Sequence, residues 1–502
     1  MNKTSNKRED KIFISICILG LFSFVFLFFT VIHPLVVFDG DDWCYLSQFR
    51  KPIPIWGYWN PGRVLPETFL PLLGYISAYV VNPFIGNYLL SITTVFSLSI
   101  AIFCVILYVL FSKFLVTAMG IEIKKSYSIA LVWICFYFLL FKSQNANNIY
   151  VLFATNLICY YYYVVPSLLN SSLVLYFMLH QNDNHFFDDF SYIHKGILLI
   201  VIYFAVFSNV FNSIIVAIYC GVYLFVDFVK QGKLNKSAML ASMHKDSIQW
   251  ITLLMWVIQI VFEMTGGRAA AIGKSVSYLH LPLYETGVSF YHLLKLVNSQ
   301  CAIFCVLCIV LALVLALRHK QEVSCRYHID TMIHLVLSGI LISIFLLLVC
   351  AKANVAYAGW IQCMYGIFFY FLLCAFISLT FIINRFKTLE MLIPFILIFS
   401  IVVATSSDKP YRDANMLNLN PVKAYAVSNY LIDQIKTADM NGDTELNLIV
   451  PKGDNVDNWP FPNYMGRNIS RTLYTHGQTS KMMKINIIAD PSLNELLYNK
   501  IL

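Results

Sequence analysis

Charge is what this chain is short of. Only 12% of its 502 residues are Asp, Glu, Lys or Arg, against roughly 25% in a soluble globular domain. That scarcity excludes an ordinary water-soluble enzyme, and the 59% hydrophobic content points to an all-α polytopic membrane protein. No basic stripe interleaved with aromatics runs through the sequence, so the net charge of +8 does not argue for nucleic acid as a partner. Lys and Arg gathered in loops on one side of a bilayer account for it better. Thirteen cysteines offer no disulfide framework, because most lie in apolar runs where a thiol packs as a small hydrophobe. Cys301, Cys305 and Cys308 share one face of such a run with no His or acid near them, which reads as packing. A cleavage site is missing after the first apolar run, which is too long for a signal's core and reads as an anchor. An internal repeat of fixed period is also missing.

A nucleotide site is excluded as well. The run Gly266-Gly267-Arg268-Ala-Ala-Ala-Ile-Gly273-Lys274-Ser275 looks like a phosphate-binding loop. Five residues rather than four separate Gly267 from Gly273, however, and Arg268 stands where the first Gly belongs. No strand precedes it. An ordinary solvated loop, or a cationic loop offering Arg268 and Lys274 to a lipid phosphate, fits these residues better than an ATP site does.

What is present is a series of apolar runs close to the ~20 residues that a bilayer requires. About eleven spans are expected, within a range of nine to thirteen, near 12–36, 87–112, 127–141, 159–179, 195–207, 210–228, 247–264, 300–317, 332–351, 361–383 and 391–405. With the N-terminus inside, alternate loops carry 17 basic residues, among them Lys113, Lys124, Lys125, Lys230, Lys236, Lys245, Arg318, Lys320, Arg326 and Arg385. The opposite loops carry eight: Arg50, Lys51, Arg63, Lys142, Arg268, Lys274, Lys295 and Lys352. This bias predicts an N-terminus in the cytoplasm and a C-terminus outside. Residues 1–405 then form a transmembrane domain, with a first outer loop over about 37–86.

The tail, 406–502, changes composition to Asn, Asp, Lys and Pro. Met416, Val422, Ala426, Leu431 and Ile435 stand at helical spacing, and Asn441-Gly442-Asp443 ends that run. Leu446–Val450 alternates as a short strand, 453–467 reads as a loop, and a second strand is expected near Lys484–Ile488. A small extracytoplasmic α/β unit, folding by itself or docked on the membrane part, is the expectation.

Chemistry concentrates in the first outer loop. Residues 38–45 read Phe-Asp-Gly-Asp-Asp-Trp-Cys-Tyr, placing Asp39, Asp41 and Asp42 beside Trp43 and Tyr45 at the mouth of a membrane helix. Carboxylates near hydrocarbon are costly and mark sites that bind or react. Arg50 and Lys51 follow, then Trp56, Trp59, Pro61-Gly62-Arg63 and Glu67. Residues 68–82 are apolar enough for a helix lying along the bilayer surface. A carboxylate suits a general base, a guanidinium suits a phosphate, and flat aromatics suit sugar rings. Arg63 also stands four residues before Glu67, which allows a pair between them.

An acidic motif in the first outer loop resembles the membrane-embedded C-type (GT-C) glycosyltransferases that use polyprenyl-phosphate sugars. The pattern Asp41-Asp42-Trp43-x-Tyr45, followed by Trp59, Gly62-Arg63 and Glu67, is similar to the phage-type serotype-converting O-antigen glucosyltransferases. The resemblance covers this loop and the overall layout. It implies a GT-C-like fold in the bacterial inner membrane and transfer of glucose from undecaprenyl-phosphate glucose to lipid-linked O-antigen of lipopolysaccharide at the periplasmic face. Asp41 or Asp42 would take the acceptor's proton. Asp39, Trp43, Tyr45, Trp59, Arg63, Glu67, Arg268, Lys274 and Lys352 would bind substrate. The resemblance leaves metal dependence open, since some members of the superfamily use a metal and others do not, and an acid pair would suit a divalent cation. A flippase or transporter of a polar lipid and a surface-polysaccharide polymerase or ligase are the alternatives.

Other features read more plainly. His180, Asp183, His185, Asp188, Asp189 and His194 lack metal-ligand spacing and read as a solvated loop. Tyr160–Tyr163 reads as an interfacial belt, and Glu263 as an interfacial residue at a span's end.

Overall fold

The computed structural model describes residues 2–142, 147–181, 187, 190–231, 236–273, 281–396, 398, 410–454 and 456–498. Nine helices among the described residues have the length and apolar composition of a membrane span. They are Arg8–Ile32, Val64–Ile85, Tyr88–Thr117, Leu157–Leu179, Val210–Lys230, Ser247–Met264, Ser299–Arg318, Val323–Ala353 and Ile361–Arg385. Eight of them cover expected spans. Two further expected spans coincide with shorter helices, Ile123–Leu139 and Tyr192–Val206, of 17 and 15 residues. The expected span at 391–405 lies mostly outside the described residues.

Val64–Ile85 is the ninth, and it covers the stretch 68–82 expected to lie along the bilayer surface. Near its start Glu67 pairs with Arg50 at 3.1 Å. Near its end Tyr79 donates to the Thr475 carbonyl at 2.7 Å, while Arg471 donates to the Cys44 carbonyl at 2.7 Å. Both ends of this helix therefore stay beside the first loop and the tail instead of parting from them.

Ion pairs gather one set of loops at a common end. Lys124 meets Glu9 at 3.4 Å, and Lys125 bridges Glu122 at 3.0 Å and Glu390 at 2.8 Å. Arg385 meets Glu322 at 2.7 Å, and Lys230 meets Asp330 at 3.0 Å. These are the loops that the basic-residue bias grouped together. At the other end, Leu65 N–H donates to the Phe207 carbonyl at 2.9 Å and Lys142 N–H to the Leu296 carbonyl at 2.7 Å. Gly62 reaches Glu263 there. Between the ends, Cys301, Cys305 and Cys308 line a buried face. Cys305 and Cys308 have C-x-x-C spacing, but both are wrapped in apolar packing.

The tail contains the helix Pro421–Met440 and two strands, Glu445–Pro451 and Lys484–Asp490, paired in parallel with Leu448 opposite Ile487. The helix Met465–Thr475 was not anticipated, since a loop was expected to run to 467. Met465, Ile469, Thr472 and Leu473 give it a buried face at helical spacing. Gly466 is needed for that packing, because a Cβ there would stand 2.4 Å from the Ile485 carbonyl oxygen. The tail docks: Thr472 donates to the Trp43 carbonyl at 2.8 Å, and Gly40 N–H to the Pro460 carbonyl at 3.0 Å.

Candidate functional site

The acidic cluster opens a short helix, Gly40–Tyr45, and two of its three carboxylates hold that helix in place. Asp39 caps it, its Oδ1 accepting from Asp41 N–H at 3.1 Å and Asp42 N–H at 3.0 Å. Asp42 closes a reciprocal box by accepting from Phe38 N–H at 3.0 Å and Asp39 N–H at 3.4 Å. The same two side chains reach across the molecule. Asp39 Oδ2 accepts from Asn156 Nδ2 at 2.6 Å, and Asp42 Oδ1 from Ile158 N–H at 2.8 Å. Both carboxyls are buried. Burial, reinforced by the neighbouring charge of Asp41, pushes Asp39 up to about 7. Burial and Asp39 likewise push Asp42 well above the carboxylate range. Asp41 differs. One helical residue is a rotation of about 100°, and Asp41 lines a cavity of about 330 Å³. Its Oδ1 accepts from Tyr464 O–H at 2.7 Å.

That cavity is also lined by Tyr45, Trp59, Asn60, Arg63, Asn156, Tyr162, Arg268, Tyr357, Trp360 and Trp459. Arg63 precedes the helix Val64–Ile76 with φ −83° and ψ 56°. It is therefore not on a helical turn with Glu67, and the pair that their spacing allowed does not form. Arg50 takes Glu67 instead, at 3.1 Å, with both side chains almost fully buried. Arg50 also donates to the carbonyls of Asn60 at 2.7 Å, Pro61 at 2.9 Å and Ile53 at 3.1 Å. Glu67 Oε1 accepts from Asn60 Nδ2 and from Tyr162 O–H, each at 3.0 Å. Tyr162 in turn lies under the Arg63 guanidinium, 5.2 Å from carbon to ring centroid. Among the described residues Arg63 forms no ion pair.

Arg268 reaches the same cavity because its loop is stitched to the first. Gly267 N–H donates to the Tyr58 carbonyl at 3.0 Å and Arg268 N–H to the Trp59 carbonyl at 3.2 Å. A Cβ on Gly266 would stand 2.6 Å from Pro61, and one on Gly267 2.9 Å from the Trp59 ring. The glycine pair that imitated a phosphate loop is thus a close crossing of two loops. Arg268 donates to Tyr357 O–H at 2.9 Å and meets no carboxylate within ion-pair reach among the described residues.

A second cavity, of about 590 Å³, adjoins the first. Arg63, Arg268 and Tyr357 line both. Away from these three the second is largely apolar, with Phe211, Ile260, Met264, Phe345, Leu348 and Val349, and Lys352 on its wall. Glu263 also lines it, where it accepts from Gly62 N–H at 3.1 Å and fixes the Pro61–Gly62 turn.

Of the expected site residues, the structure brings Asp41, Tyr45, Trp59, Arg63 and Arg268 together in one cavity and Lys352 in the next. Four expectations need correction. Asp42 and Asp39 face inward as capping groups, Trp43 is fully buried in the core, and Glu67 is occupied by Arg50, Asn60 and Tyr162. Lys274 lies outside the described residues, as do Asp183, His185, Asp188 and Asp189. Tyr160–Tyr163 is no interfacial belt: all four rings are buried in a π-helical turn. Asn156 and Trp459 on the cavity wall, and Tyr464 on Asp41, were not singled out from the sequence. A π-helical turn often marks a functional site, but four consecutive tyrosines do not announce one.

Among the described residues no three His, Cys, Asp or Glu side chains converge as metal ligands. Among the described residues Asp41 is the one carboxylate on the wall of the first cavity. The described donors thus make no divalent-cation site there. Compared with protein-family models, curated proteins and solved structures, the chain matches none.

Proposed function

We propose that this protein is a membrane glycosyltransferase that moves a sugar from a polyprenyl phosphate to a lipid-linked saccharide. The carrying observation is that a polar, aromatic cavity and an apolar one meet at Arg63, Arg268 and Tyr357. A polyprenyl-phosphate sugar has the same three-part order: polyhydroxylated ring, anion, hydrocarbon. The ring would sit among Tyr45, Trp59 and Trp360, the phosphate between the two guanidiniums, and the first isoprenes against Phe345 and Leu348.

The reaction follows from those positions. An acceptor hydroxyl oxygen attacks the sugar's anomeric carbon while the bond from that carbon to the phosphate oxygen breaks. Asp41 takes the hydroxyl proton through the oxygen not engaged by Tyr464, and the phosphate departs with the bonding electron pair. General-base catalysis of this kind contributes about 10²–10⁴-fold. Arg63 and Arg268 stabilise the charge that builds on the leaving phosphate. The first-loop resemblance narrows the proposal to glucose from undecaprenyl-phosphate glucose, passed to O-antigen repeats at the periplasmic face of the bacterial inner membrane.

Purified protein in lipid nanodiscs, given labelled glucose on polyprenyl phosphate or on a nucleotide, tests this. Transfer to lipid-linked O-antigen from the polyprenyl donor alone is expected. Use of the nucleotide donor, or of neither, contradicts the proposal.

A further inference from the structure

A third cavity, of about 490 Å³, lies beside the first and shares Thr155 and Trp360 with it. Asn147, Phe153, Gln362, Arg412 and Asn418 supply much of the rest of its wall. It is a built site. Asn148 N–H donates to the Pro410 carbonyl at 3.0 Å and Arg412 N–H to the Asn148 carbonyl at 2.8 Å. On either side of Arg412, Tyr411 donates to the Phe138 carbonyl, and Asp413 meets His33 at 3.2 Å. Arg412 is thereby fixed at the cavity, stacked on Phe153 at 5.6 Å.

Among the described residues two polar groups there have no partner. Gln362 is only 2% exposed, and its amide nitrogen makes no hydrogen bond. Arg412 Nε is likewise buried without an acceptor, and no carboxylate pairs with Arg412 among the described residues. Unpaired buried donors are costly, and they persist where something outside the fold satisfies them.

Resting on the transferase proposed above, we infer that this third cavity holds the acceptor: an acidic saccharide whose carboxylate or phosphate is taken by Arg412. Gln362 donates to a ring oxygen of the same sugar. Trp360, on the wall common to both cavities, stacks the sugar whose hydroxyl is presented toward Asp41. A guanidinium without a carboxylate selects an anion, and an aromatic edge with amides selects a sugar ring. The amides of Asn147, Gln362 and Asn418 beside Arg412 distinguish it from the more apolar groove beyond Arg63.

The test uses full-length protein in nanodiscs with the polyprenyl-phosphate glucose donor. Acceptors are matched oligosaccharides that are neutral, carry a uronate or carry a phosphate. Wild type is expected to prefer at least one acidic acceptor about tenfold in KM, and Arg412→Gln to erase that preference. Gln362→Met should raise the acceptor KM several-fold while leaving the unfolding temperature equal or higher, since it removes an unsatisfied amide. A structural role for Gln362 would lower that temperature instead. Equal use of neutral and acidic acceptors by wild type, or an unchanged preference in Arg412→Gln, overturns the inference while leaving the transferase intact. Absence of any donor consumption by wild type would overturn the transferase reading itself.

Discussion

The two ends of the helix bundle handle charge in opposite ways. At the end holding Lys124, Lys230 and Arg385, cations sit against carboxylates: Lys124 with Glu9, Lys125 with Glu122 and Glu390, Lys230 with Asp330 and Arg385 with Glu322. At the other end Arg63, Arg268 and Arg412 line cavities without an ion-pair partner among the described residues. Arg50 at that same end is fully neutralised by Glu67. A paired cation fixes structure. A cation beside a cavity, left without a carboxylate, is available to a ligand. The contrast locates function by what the fold leaves unsatisfied.

The sharpest way to break this comparison is to exchange roles within the acid cluster. Asp41→Asn should lower transfer about 10²–10⁴-fold with an unchanged unfolding temperature. Asp42→Asn should do the reverse in kind, unfolding earlier while the folded fraction keeps most of its rate. Equal rate losses at matched folded protein would dissolve the distinction between the cavity-facing acid and the capping acid.

Arg63 follows. Arg63→Ala should lose about 10²–10³-fold in rate, as removal of a charge-stabilising group does. Arg63→Lys, keeping the charge but not the fork, should lose less. Glu67→Gln is expected to act on stability instead, costing about 3 kcal/mol by leaving Arg50 buried without its partner. A Glu67→Gln protein as stable as wild type would remove the reason for separating Arg50 from Arg63.

A smaller effect concerns pH. Asp39 is held near 7 in the folded protein by burial but titrates in the ordinary carboxylate range when unfolded. Its contribution to stability is therefore complete below that range and is lost as pH rises through about 7. The unfolding temperature should fall between pH 5.5 and pH 8. Asp39→Asn, which keeps a capping oxygen, should remove Asp39's share of that slope and leave the share of Asp42, which burial also pushes up. Smallest of all, Glu322→Gln at the paired end should leave transfer kinetics unchanged.

The apolar runs carried the helices, because hydrocarbon burial is written in composition. The same signal could not tell whether Val64–Ile85 crosses or lies flat, since both need apolar residues. The first loop drew attention to Asp41 and Arg63, which line the cavity, and equally to Asp39, Asp42, Trp43 and Glu67, which do not. Those four are capping or core groups, and a residue's facing depends on where the helix begins, here at Gly40. The Arg63–Glu67 spacing suggested a helical pair, but the helix starts one residue too late for it. Tyr464 and Trp459 were illegible because one reaches Asp41 and the other the cavity wall only through docking of the tail, more than 400 residues from Asp41 in sequence.

Equilibrium binding of a short-chain polyprenyl-phosphate sugar bears most directly on the central claim that Arg63 and Arg268 together hold an anion where two cavities meet. Wild type, Arg63→Ala, Arg268→Ala and the double variant should be compared in nanodiscs, with the unphosphorylated polyprenol as control. Each single variant is expected to bind the phosphate at least about tenfold more weakly, with non-additive losses in the double variant and no change for the polyprenol. Wild-type affinity for the phosphate in the double variant would contradict the claim.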